Sequence, residues 1–166
     1  MSKVIIITAS NNQNLKLANQ FKEEVSSNGG ESEVVDLVDL NLPLYSPEAE
    51  KSGIPEQIAM IVDLCNNSNK FIFVTPEYNG GIAPTLNNFI AWVSRAGGKN
   101  WRVTFNNKTS LIATFSGGGG QHALMMLRSQ LAFIGMNVIG RQVVATFQNS
   151  DVSGDIKDCT KLLIES

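Results

Sequence analysis

Short apolar runs and segments of helical periodicity alternate along the chain. Val4, Ile5, Ile6 and Ile7 form an unbroken apolar run. Such a run, with no polar alternation, predicts a strand buried on both faces, as in a parallel sheet. A polar stretch, Ala9-Ser10-Asn11-Asn12-Gln13, follows it. Leu15, Ala18, Phe21 and Val25 then recur at helical spacing until Asn28-Gly29-Gly30 ends the pattern. A second strand is expected over residues 33–37, and an irregular loop with Pro43, Tyr45 and Pro47 over 39–53. Pro55 suits the first turn of a helix whose apolar side holds Ile58, Ala59, Ile61, Val62 and Cys65. Residues 71–74 read Phe-Ile-Phe-Val, a third strand. A helix carrying Ile82, Leu86, Phe89, Ile90 and Val93 runs on to about Arg95. Gly97-Gly98 breaks it, and residues 101–107 read as surface loop. A fourth strand, 109–115, leads through Ser116 and four glycines into a helix with Ala123, Leu124, Leu127, Leu131 and Ile134, which Gly135 is placed to cap. A fifth strand over 138–146 and a short helix over 156–164 complete the pattern. Strands alternating with helices predict an α/β doubly wound parallel sheet, order 2-1-3-4-5, with helices on both faces.

The 166 residues suit a single domain, 1–166. A hydrophobic fraction of 43% excludes an intrinsically disordered chain. The formal charge of −2, without any basic block, gives no footprint for nucleic acid. No apolar run is long enough to span a bilayer, so no membrane partner is expected. Entry straight into a strand, without a signal-peptide pattern, leads to the expectation of a cytoplasmic protein. Cys65 and Cys159 lie far apart and outside any CxxC, so both read as packing residues.

Chemistry concentrates in three loops at the carboxyl ends of strands. That is where open α/β sheets hold ligands, and strands one and three flank the switch point of the expected order. Thr75-Pro76-Glu77-Tyr78-Asn79-Gly80-Gly81 follows the third strand. Pro76 ends the ladder, Tyr78 offers a ring, Asn79 an amide, and the glycines let a flat ligand approach the main chain. Ser10, Asn12 and Asn14 precede or open the first helix, where free N–H groups and the helix dipole favour an anion; the same residues also suit a plain N-cap. Gly117–Gly120 is more glycine than a simple turn requires, which points to ligand contact. The run lacks the Lys-Ser/Thr ending of a Walker loop, and no GxGxxG follows the first strand. His122, the single histidine, reads as a solvated first-turn residue. Glu77 reads as a partner for nearby backbone donors or a subunit contact rather than a general acid, and Met125 and Met126 read as core. There is no nucleophile elbow and no metal-ligand spacing.

These loops resemble those of the NAD(P)H-dependent FMN reductase family, a flavodoxin-like group with azoreductase, quinone reductase and chromate reductase members. The resemblance rests on Thr75 to Gly80 and continues through Pro84, Leu86, Asn88, Ile90, Trp92, Ser94 and Arg95. It appears again from Ser116 through the glycines to Leu127-Arg128, Leu131 and Gly135, and more weakly at Leu42-Pro43-Leu44-Tyr45. It implies that Ser10, Asn12 and Asn14 hold the FMN phosphate. It implies that Pro76, Glu77, Tyr78, Asn79 and Gly80 wrap the ribityl chain and one ring edge, and that Ser116, Gly117, Gly118 and Gly119 pack beside the other. The implied function is hydride transfer from NAD(P)H to flavin, and onward to a quinone, flavin, azo or metal-oxyanion acceptor. A homodimer or homotetramer is implied too. The family's first loop usually reads Gly-Ser-x-Arg-x-x-Ser-x-Asn; here it is shorter and has no arginine. That difference supports an alternative, a flavodoxin-like flavin carrier or regulatory module with little turnover.

Overall fold

A computed structural model describes residues 3–166. In chain order its elements are β1 (Val4–Thr8), α1 (Gln13–Ser27), β2 (Ser32–Asp36), α2 (Pro47–Lys51), α3 (Glu56–Asn66), β3 (Lys70–Val74), β4 (Glu77–Tyr78), β5 (Gly81–Ile82), α4 (Pro84–Ala96), β6 (Thr109–Phe115), α5 (Gln121–Phe133), β7 (Asn137–Val138), β8 (Val143–Ala145) and α6 (Ser153–Glu165). The main sheet is parallel in the order β2-β1-β3-β6, with β7 and β8 both paired to β6. Strand pleating sends alternate residues to opposite faces. Ile5, Ile7, Phe71, Phe73 and Ile112 pack with Ile58, Leu86, Phe89, Leu124 and Leu127 from α3, α4 and α5. Val4, Ile6, Ile72, Val74 and Leu111 pack with Leu17, Phe21 and Val25 of α1 and Ile156, Cys159 and Leu163 of α6. Both faces are therefore covered, as the unbroken apolar runs require.

The fifth strand departs from expectation. It is not continuous over 138–146: β7 pairs with the start of β6 and β8 with its end. Between them Gly140 weakens the strand. Arg128 on α5 donates to the Ile139 carbonyl at 2.7 Å and to Gln142 Oε1 at 3.2 Å, holding the excursion in place. The final helix is longer than expected, Ser153–Glu165. Lys70 Nζ donates to the Leu163 and Ile164 carbonyls at 2.7 and 2.8 Å, a cation at the negative end of α6.

The loop over 39–53 is not wholly irregular. Ser46 Oγ accepts from the Ala49 N–H at 3.0 Å and Pro47 opens the short α2. Ahead of it, the Pro43 carbonyl accepts from Asn88 Nδ2 at 3.0 Å and Trp92 Nε1 at 2.8 Å, and the Tyr45 N–H donates to Asn88 Oδ1 at 2.7 Å. Asn88 and Trp92 of α4 thus pin the Leu-Pro-Leu-Tyr segment, and Trp92 is buried within the chain itself. Met125 and Met126 are not core residues; they are 70% and 48% exposed. The buried side of α5 is Ala123, Leu124, Leu127 and Leu131, and the methionines fall on the turn's other side. Both cysteines are free and buried, and burial pushes the Cys65 thiol up to about 12, keeping it protonated.

Candidate active site

Ladder hydrogen bonds extend just past the ends of the central strands. The Ala9 N–H donates to the Val74 carbonyl at 2.9 Å, Thr75 to Ala113 at 3.1 Å, and Ser116 to Ala145 at 3.0 Å. The three polar loops therefore leave the sheet side by side at its carboxyl edge.

The first loop divides its polar groups between two tasks. Asn12 precedes α1 in a non-helical conformation and makes no side-chain capping bond, so its amide is unengaged and the first-turn N–H groups stay open. No acidic residue occupies that turn. Asn14, by contrast, is 3% exposed. Its Nδ2 donates to the Phe115 carbonyl at 3.0 Å, and its Oδ1 accepts the Phe115 N–H at 2.8 Å. Both of its polar atoms thus join the start of α1 to the end of β6.

The second loop is a small antiparallel hairpin. β4 pairs with β5, Glu77 opposite Ile82 and Tyr78 opposite Gly81. Ile82 therefore belongs to a strand, not to the following helix, which starts at Pro84. Asn79 and Gly80 both have positive φ, 52° and 75°, the pair a type I′ turn demands. Asn-Gly between extended residues is the sequence signal for this hairpin. Glu77 Oε2 accepts the Ala123 N–H at 3.0 Å, a carboxylate at the positive end of α5. The hairpin tip rests on the same helix: a Cβ on Gly80 or Gly81 would meet His122 Cβ at 4.0 Å or Met126 Sδ at 3.7 Å. His122 itself is exposed.

The third loop gives its glycines different jobs. The Gly119 N–H closes a turn onto the Ser116 carbonyl at 3.1 Å, and Gly119 and Gly120 have φ of 87° and 65°. A Cβ on Gly120 would lie 2.8 Å from Thr114. The fold itself thus requires these two, while Gly118 has open space around it.

The loops enclose a cleft of about 240 Å³. Ser10, Asn12, Asn14, Pro76, Glu77, Tyr78, Ser116 and Gly117 line it together; Asn79, Gly80, Gly118 and Gly119 lie outside its lining. Gln13, Phe115 and Phe147 also line it and were not singled out from sequence. Phe147 follows the fifth strand, so the rule that ligands sit at carboxyl ends of strands could have flagged it. A larger hollow of about 410 Å³ lies elsewhere, lined by Tyr45, Arg95, Trp101 and Phe133, and none of the three loops contributes to it.

The profile of the NADPH-dependent FMN reductases matches residues 2–150. The chain belongs to that family. It is accordingly an oxidoreductase, of a family that works with FMN and NAD(P)H. A Mycoplasma pneumoniae protein, the MG342 homolog, is 27% identical over 164 residues, 96% of each chain. An NAD(P)H-dependent FMN reductase of Pseudomonas aeruginosa is 28% identical over 130 residues, 75% of this chain and 68% of that one. An FMN-dependent NADH:quinone oxidoreductase of Shewanella frigidimarina is 28% identical over 170 residues, covering 82% and 83%. Among solved structures, the NAD(P)H:(acceptor) oxidoreductase FerB of Paracoccus denitrificans superposes with a TM-score of 0.74 at 18% identity, over 98% of this chain and 99% of that. An archaeal flavodoxin gives 0.67 at 13% identity, over 98% and 94%. The fold of this FMN reductase family member is thus flavodoxin-like. No helix among the described residues is long and apolar enough to cross a membrane.

Proposed function

We propose that the protein is an FMN-dependent NAD(P)H oxidoreductase whose acceptor is a quinone or a similar small, flat electron acceptor. The observation that carries this reading is the cleft: loops distant in sequence meet at the carboxyl edge of β1, β3 and β6. The donor set suits FMN. The open first turn of α1, with Ser10 and Asn12 beside it, offers N–H and side-chain donors to a terminal phosphate. Tyr78, half exposed at 52%, offers ring surface, while Ser116 and Gly117 offer a hydroxyl and close main-chain approach on the opposite loop. When bound, FMN supplies hydride acceptance from the nicotinamide and electron delivery to the acceptor. The side chains bind and orient, and no acid or base is required of them. Glu77, the one charged group in the lining among the described residues, is engaged with the Ala123 N–H and holds the hairpin against α5. Asn79 and Gly80 act through the turn that aims Tyr78. The main chain at Gly117, which lines the cleft, can offer its N–H to negative charge on a polar ring edge.

A homodimer or homotetramer belongs to the same reading. Met125, Met126 and Phe133 are exposed on α5, and a second copy covering them would remove a large apolar surface from water. Light scattering tests the assembly. The activity test is anaerobic: protein saturated with FMN should bleach on addition of NADH or NADPH and recover its colour with a quinone. Protein that binds FMN and does not bleach with either nicotinamide would leave the carrier reading in place of the reductase.

A further inference from the structure

Phe147 has no part in the reading above. Its side chain is 69% exposed, yet it is not loose. Its ring stands edge-on to Phe115, centroids 5.1 Å apart and planes at 79°. The chain turns just after it: the Thr146 N–H donates to the Asn149 carbonyl, and the Asn149 N–H to Thr146 Oγ1, both at 3.0 Å. Phe115 is itself fixed by both polar atoms of Asn14. An apolar ring is thus held in place at the wall of the cleft and left largely uncovered. Its neighbour across the wall is Gly117, where even a Cβ would lie 3.6 Å from the ring.

Charge makes this ring matter more. The cleft lining contains no lysine or arginine among the described residues, and its carboxylate is engaged elsewhere. Affinity for a flat ligand must then come from neutral hydrogen bonds and from apolar contact area. Large aromatic side chains supply the most area per residue at low entropic cost. Two such side chains, Tyr78 and Phe147, reach the cleft from different loops with much of their surface still exposed.

We infer that Phe147 is a cofactor-contacting residue, an aromatic wall that covers the apolar part of the bound flavin. The inference rests on the FMN reading and adds a contact from the loop after the fifth strand. The contact is with the flavin body, so it is indifferent to the phosphate and to salt. Flavin fluorescence quenching, titrated with FMN and separately with riboflavin, measures it without turnover. Phe147→Ala should weaken both ligands by the same factor, about ten-fold, which is about 1.4 kcal/mol. Phe147→Leu keeps apolar cover over Phe115 without a flat face, and should lose affinity as well. Phe147→Tyr should stay close to wild type. The apo melting temperatures of the three variants should remain within a few degrees of one another, since the ring is largely exposed. If wild type quenches FMN and Phe147→Ala binds both flavins as wild type does, this inference fails and the FMN reading stands. A loss confined to FMN also overturns it, because the contact would then lie at the phosphate. If wild type quenches neither flavin, both fall.

Discussion

Asn14 separates a structural clamp from a phosphate ligand, two roles that the sequence alone leaves together. Its amide is 3% exposed and makes reciprocal bonds of 3.0 and 2.8 Å with the Phe115 peptide. Asn14→Ala removes both partners of the Phe115 main chain and leaves a part-buried N–H and a part-buried carbonyl unpaired. Each such group costs about 1–3 kcal/mol, and water entering the vacated space offsets part of it, so the net loss should be about 2–4 kcal/mol. For a chain of this length that corresponds to roughly 5–15 °C in melting temperature. Asn14→Asp is the sharper probe: it keeps the acceptor for the Phe115 N–H and places a carboxylate oxygen against the Phe115 carbonyl, with no donor between them. It should destabilise at least as much as alanine, although it is nearly isosteric. The assay is urea denaturation of apo protein, followed by titration with FMN and riboflavin. Under the clamp, stability falls in the absence of any flavin and the FMN-to-riboflavin affinity ratio is unchanged. Apo stability within 0.5 kcal/mol of wild type, together with a selective loss of FMN, would refute the clamp, since surface-type substitutions fall within about that limit.

Four further outcomes rest on the same geometry. Gly120→Ala should destabilise the fold by about 1–3 kcal/mol in urea denaturation, because its φ of 65° is left-handed and its Cβ would lie 2.8 Å from Thr114. Gly118→Ala, with open space around it, should cost under about 1 kcal/mol, and equal losses would mean that the loop is not held as described. Asn12→Arg should raise affinity for FMN and not for riboflavin, since an added guanidinium beside the open end of α1 can pair with phosphate; equal gains in the two titrations would place the phosphate elsewhere. Burial lowers the Lys108 pKa below 10.5 in the fold, where its Nζ donates to the Cys65 carbonyl at 2.5 Å. The unfolded chain then binds more protons between that lowered value and 10.5, so wild-type stability measured against Lys108→Met should rise with pH through this window and stay flat below it; a difference that falls with pH would contradict the burial.

Much of the fold was legible because parallel strands buried on both faces leave unbroken apolar runs. Val4 to Ile7 and Phe71 to Val74 could be read as strands without any partner in view, and the order around β1 and β3 followed from alternation with helices. The features that the sequence does not announce depend on tertiary partners or on very short elements. Nothing local to residues 139–142 announces that Arg128, on the preceding helix, will take their carbonyls and split the fifth strand. Lys70, a residue from β3, meets the last carbonyls of α6, whereas most of the helix's extra length, Ser153 to Asp155, lies at its start. The β4–β5 hairpin was different, since Asn79-Gly80 carried its own signal; the helical spacing assigned to Ile82 masked it. The apolar richness of α5 suggests a core place for Met125 and Met126, whereas the helix buries only one stripe of its apolar residues.

The site shows a division of labour that was also beyond a reading of residue types. Each polar loop is tied down by groups that do not need the ligand: Asn14 to the Phe115 peptide, Glu77 to the Ala123 N–H, Thr75 Oγ1 to the Ala83 N–H at 3.2 Å, and Thr85 Oγ1 to the Ala9 carbonyl at 2.8 Å. The amide of Asn12 and the rings of Tyr78 and Phe147 are left facing the cleft or solvent. A cleft built this way is shaped before its ligand arrives, so little conformational entropy remains to be lost on binding. The two sets should then respond to substitution in opposite manners. Changes at the ties lower the stability of the apo protein and loosen every ligand alike, whereas changes at the open groups leave the apo protein stable and discriminate among ligands by the part each one contacts.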